Sequence, residues 1–147
     1  MKRRLSTTLL TLLCIAMSGT AQVRLPQLFQ NGMVVQRNKP TVIWGDAQPG
    51  QQIGIKLHKQ KTMVTADADG HFRATLAPQK AGGPYQLTIG TTVINDVMIG
   101  DVWLCAGQSN MDVTIERVYP QYPDEIDRYE NSKIRYFRVQ TDKDTHA

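Results

Sequence analysis

Cysteine is nearly absent from these 147 residues. There are two, Cys14 and Cys105. Cys14 falls in an N-terminal stretch patterned as a cleaved leader, which leaves Cys105 alone. One thiol forms no internal disulfide, so a disulfide framework is excluded. Long apolar runs are missing as well. The run from Leu9 to Met17 is too short to span a bilayer comfortably, and nothing later is longer. An excess of positive charge is missing on closer reading. The formal net charge is +4, but three of the 17 basic residues are Lys2, Arg3 and Arg4, leaving 14 against 13 acidic residues beyond residue 21. With no basic stripe, nucleic acid is not an expected partner. Hydrophobic residues at 41% and charged residues at 20% are ordinary for a globular protein.

What is present begins with that leader. Lys2-Arg3-Arg4 is a positive n-region, the apolar run follows, and Ser18, Gly19, Thr20 and Ala21 are small. Gly19 and Ala21 fit the small-x-small pattern, so cleavage after Ala21 is expected. A retained membrane anchor is the competing reading, and the short apolar run argues against it. Cys14 is no lipoprotein cysteine, because bulky Leu12 and Leu13 precede it. The expected location is secreted or periplasmic, without a membrane partner after cleavage.

Residues 22–100 read as short strands separated by turns. Asn31-Gly32 punctuates a first pair. Thr41 to Gly45 forms a strand closed by Gln48-Pro49-Gly50. Ile53, Ile55 and Leu57 alternate with Gly54, Lys56 and His58, the period of a half-buried strand. A turn at Lys59-Gln60 precedes a strand over 62–66. Asp67 to Gly70 turns again, and Phe72, Ala74 and Leu76 alternate. Ala81-Gly82-Gly83-Pro84 reads as a loop. Strands over 85–89 and 92–99 complete the set. This spacing predicts an antiparallel β-sandwich.

The pattern changes in 101–147. Asp101 to Ala106 is apolar without alternation, as in a strand buried on both faces. A polar stretch follows, in which Asp124 can cap a short helix carrying Ile126 and Tyr129. Ile134 to Val139 is a second apolar strand. Strand, helix, strand opens a parallel α/β sheet. Two strands cannot bury such a sheet, so this part is expected to be the truncated start of a second domain.

Gly107-Gln108-Ser109-Asn110-Met111 follows the first of these strands. In open α/β sheets, functional groups collect at the carboxyl ends of strands. Ser109 there can expose its hydroxyl on a tight turn, with backbone N–H groups able to stabilise an oxyanion. A structural turn with a capping serine is the competing reading of the same residues. The motif is not G-x-S-x-G, because Met111 replaces the second glycine.

The run from Gly100 to Met111 resembles the G-D-V-W-L-C-S-G-Q-S-N-M signature of the sialate O-acetylesterase family of SGNH hydrolases, departing only at Ala106. Leu25-Pro26-x-Leu28-Phe29, Gly32 to Arg37, Trp44-Gly45 and Ala81 to Tyr85 resemble the family's N-terminal β-domain. The likeness covers about Leu25 to Val139. It implies a β-sandwich followed by the first βαβ of a flavodoxin-like α/β SGNH-hydrolase domain. It also implies Ser109 as the nucleophile, its own N–H as an oxyanion-hole donor, and Gly107, Gln108 and Asn110 as supporting the motif. The implied substrate is an O-acetylated sugar, sialic acid or a plant polysaccharide. No metal or organic cofactor is implied. The family's Asp-x-x-His pair does not occur in these residues. Asp142, Asp144 and His146 have the wrong spacing, so the chain alone is expected to be inert. A non-catalytic carbohydrate-binding or spacer module is the alternative from another class.

Other residues take plainer readings. His58 and His71 are expected at exposed turns. Asp67-x-Asp69-Gly70 resembles a calcium loop but lacks its remaining ligands. Trp44 and Trp103 could stack on sugar, though strand tryptophans are more often core. Cys105 is expected to pack within its strand.

Overall fold

The computed structural model describes residues 22–107, 111, 113–126 and 131–139. Seven strands occupy the first part: β1 Val34–Gln36, β2 Thr41–Asp46, β3 Gln52–Leu57, β4 Gln60–Thr65, β5 His71–Leu76, β6 Gly82–Ile89 and β7 Thr92–Gly100. They form a five-stranded sheet in the order β1-β7-β6-β3-β4 and a two-stranded sheet of β2 and β5. The expected antiparallel pairing holds throughout except at one edge, where β1 runs parallel to β7.

Alternation places the core. On β2, Ile43 is buried while Trp44 and Asp46 face outward. On β3, Ile53, Ile55 and Leu57 point inward; on β5, Phe72, Ala74 and Leu76 do so. Leu87 and Ile89 of β6 and Ile94, Val97 and Ile99 of β7 complete one cluster shared by both sheets. Burying a side chain of this kind contributes about 1.5–3 kcal/mol. The two sheets are also laced at a corner. The Gln60 amide donates to the Ala77 carbonyl at 2.9 Å and accepts from the Ala77 N–H at 2.7 Å.

Two features depart from simple alternation. Ile94 and Val97 are three apart yet both buried, because Leu87 pairs with Ile94 while Tyr85 pairs with Val97. Asn95 and Asp96 of β7 thus lie opposite the single residue Gln86 of β6, and Asp96 takes φ +57°. Such a bulge re-aims the side chains around it. Second, the expected loop at Ala81 to Pro84 is already strand from Gly82, which pairs with Ile99 before the register shifts. Pairing with β7 overrides the local turn chemistry there. Among the described residues before Asn31-Gly32 no strand forms; Arg24 makes an isolated bridge to Asp46 instead.

The α/β start expected in 101–147 is not what the described residues show. Residues 101–107 and 134–139 belong to no strand or helix and have no ladder partners. Trp103 is 84% exposed and Leu104 92%. A strand buried on both faces needs neighbours for its N–H and C=O groups and a layer over each face. Among the described residues neither is supplied. Between the two segments lie single-turn helices, α1 Ile115–Val118 and α2 Pro123–Ile126. Asp124 sits inside α2 and does not precede it as a cap; Tyr129 lies outside the described residues. No helix among the described residues is long and apolar enough to cross a membrane.

Candidate active-site segment

The stretch leading to the serine motif leaves β7 at Gly100 and is fastened to β1. The Arg37 N–H donates to the Gly100 carbonyl at 2.8 Å. The Arg37 guanidinium meets the Asp101 carboxylate at 2.8 Å, and the Val102 N–H donates to the Gln36 side-chain oxygen at 2.8 Å. Residues 36 and 37 therefore hold the first turn of chain after the strand. Beyond Val102 the segment is exposed through Gly107. The Met111 side chain reaches back over Gly107: a Cβ built on Gly107 would lie 2.7 Å from Met111 Cγ. Gln108, Ser109 and Asn110 lie outside the described residues, as do residues 1–21 and the polar tail.

A second fastening holds residues 131–139. The Arg135 guanidinium donates to the carbonyls of Gly32 and Asp96 at 3.0 and 2.6 Å and meets the Asp96 carboxylate at 2.9 Å. The β7 bulge at Asp96 presents those acceptors outward. In the sequence Arg37 is marked only as the end of the run Gly32 to Arg37, and Arg135 is not marked at all. Their partners lie 64 and 39 residues away along the chain, and no short motif carries such a pair.

The remaining candidates divide. Cys105 is exposed and does not take the packing role expected of it, because no described residues cover its segment. Trp103 is likewise exposed among the described residues. Trp44 lies at the surface, 38% exposed, with its edge against Phe29 at a centroid distance of 4.9 Å. His58 is an exposed turn residue whose ring tilts onto Tyr85. His71 opens β5 and bonds the Asp46 carboxylate at 2.7 Å. That hydrogen bond, and then the Asp46 charge, raise its pKa above the ordinary 6.5, with Asp67 and Asp69 adding to the effect. The Asp67 carboxylate accepts from the N–H groups of Asp69 and His71 at 3.0 and 2.8 Å, closing an Asx turn in place of a calcium loop.

No family model matches the chain. The sialate O-acetylesterase of Mus musculus is 30% identical over 89% of this chain, and that of Homo sapiens is 34% identical over 65%. Among solved structures, a carbohydrate acetylesterase from Xanthomonas citri superposes with a TM-score of 0.64 at 36% identity, over 68% of this chain and 24% of its own. All three are acetylesterases by name. The chain belongs to the sialate O-acetylesterase family. It spans about a quarter of the length of the curated relatives it matches, 27% of the mouse protein and 21% of the human.

Proposed function

We propose that this chain forms part of a carbohydrate O-acetylesterase in which Ser109 is the nucleophile. The observation that carries the reading is the run Gly100 to Met111 within a chain related along most of its length to sialate O-acetylesterases. In this reading the Ser109 hydroxyl attacks the acetyl carbonyl while a histidine outside these residues takes its proton. The Ser109 N–H stabilises the oxyanion. The sugar hydroxyl leaves with the proton from the imidazolium, and water then releases acetate from the acyl-enzyme. Strand β7 and the Arg37–Asp101 pair anchor the chain that leads toward Ser109. In the same reading the leader is removed after Ala21 and the protein works outside the cytoplasm.

The test has two arms. In a polypeptide extended through an Asp-x-x-His, Ser109→Ala lowers kcat for acetate release by about 10⁴-fold or more. Retained turnover would refute the nucleophile. O-acetylated sialic acid and acetylated xylan, run side by side, identify the sugar. The chain from residue 22 to residue 147 releases no acetate from an aryl acetate, since a serine without its base is a poor nucleophile. Turnover that Ser109→Ala abolishes would show that these residues suffice.

A further inference from the structure

The outer face of the β2–β5 sheet carries chemistry that the serine motif does not use. Trp44 lies directly across from Arg73, and Asp46 across from His71. Arg24 joins the edge through its bridge to Asp46, with N–H to carbonyl bonds of 2.8 and 2.9 Å. These five side chains border an open depression of about 530 Å³, within the size range of ligand clefts (about 300–1,000 Å³). The Trp44 ring is braced edge-on by buried Phe29, so it stands as a preset platform and loses little freedom on binding. Among the described residues neither Arg24 nor Arg73 has a carboxylate partner.

We propose that this depression binds a carbohydrate bearing a carboxylate: the sugar ring lies on Trp44, the carboxylate meets the guanidinium of Arg73 or Arg24, and hydroxyls bond Asp46 and His71. Charge complementarity selects this occupant. An aromatic face suits the apolar side of a sugar ring. A guanidinium suits a carboxylate bidentately. A polyphosphate or nucleic acid is poorly matched, because Asp46, Asp67 and Asp69 lie beside His71 and offset the two arginines. The choice of a glycan rests on the esterase reading. The site would hold an acidic glycan while its ester is cut elsewhere.

The test is calorimetric titration of the chain from residue 22 onward, which contains the whole core, with 3′-sialyllactose and with lactose. Sialyllactose binds, and lactose, which lacks the whole carboxylated sugar, binds at least about tenfold more weakly, since it loses the charged hydrogen-bonded contact together with the ring that carries it. Trp44→Ala and Arg73→Ala each weaken sialyllactose binding by about tenfold or more. Arg73 is exposed and outside the core, so that variant keeps its fold even if loss of Trp44 disturbs Phe29; circular dichroism melting checks both. Equal binding of the two sugars, no binding of either, or unchanged affinity in folded Arg73→Ala would overturn the proposal. Binding is read without turnover. A failed acetate assay therefore leaves this measurement standing, and failed binding leaves the acetate assay standing.

Discussion

Replacing Gly45 by alanine tests whether the N-terminal edge is fixed as tightly as the geometry states. Gly45 is buried between outward-facing Trp44 and Asp46. A Cβ there would lie 2.4 Å from the Arg24 carbonyl oxygen, 3.0 Å from Leu25 Cδ2 and 3.1 Å from Phe72 Cζ. The nearest atom is backbone, so the chain at Arg24 must move. Forcing an extra methyl into a packed site costs about 1–3 kcal/mol. Moving the Arg24 carbonyl also strains its bond from the Asp46 N–H, worth about 0.5–1.5 kcal/mol. The expected loss is about 2–4 kcal/mol in all. For a unit of this size that lowers Tm by roughly 10–25 °C. Gly54→Ala is the control. Its Cβ would meet only the flexible end of Met63, at 3.4 Å, in a strand interior where alanine is favoured over glycine by up to ~1 kcal/mol. Urea unfolding followed by far-UV circular dichroism compares the two variants. If Gly45→Ala unfolds within about 0.5 kcal/mol of the parent, or if Gly54→Ala loses as much, the close approach of residues 24 and 45 is wrong.

Two further outcomes follow from the polar contacts. Arg135→Ala removes three hydrogen bonds from a guanidinium whose side chain is 22% exposed, releasing residues 131–139 by about 1.5–3 kcal/mol; faster amide exchange there, with the core strands unchanged, is the expected readout. His71 has a folded pKa raised above its unfolded 6.5, so its contribution to stability is complete below that value and is lost as pH rises through the folded pKa; Asp46→Asn removes the largest cause, bringing the NMR titration midpoint of His71 down toward 6.5 and weakening that pH dependence of unfolding.

Most strands were legible because alternation is a local property. Ile53, Ile55 and Leu57, or Phe72, Ala74 and Leu76, show their buried side within a few residues, and Asp67 to Gly70 carries its own turn. Asp101 to Ala106 shows the limit of such local pattern. Its composition states what the segment would do if covered, and nothing in it supplies the cover. Trp44 was misplaced toward the core because a tryptophan reads as apolar whichever face it takes. The β2 pattern around Ile43 and Gly45 was the signal that could have placed it outward.

The sequence by itself determined most strands between residues 41 and 100, the turns that join them and the run from Gly100 to Met111, since each is written in neighbouring residues. Tertiary structure decided the parallel pairing of β1 with β7, the bulge at Asp96 that receives Arg135, and the Arg37–Asp101 clasp. It also brought Trp44, Asp46, His71 and Arg73 onto one face with Arg24. Those depend on which distant segments meet, and that choice is made by burying one shared core.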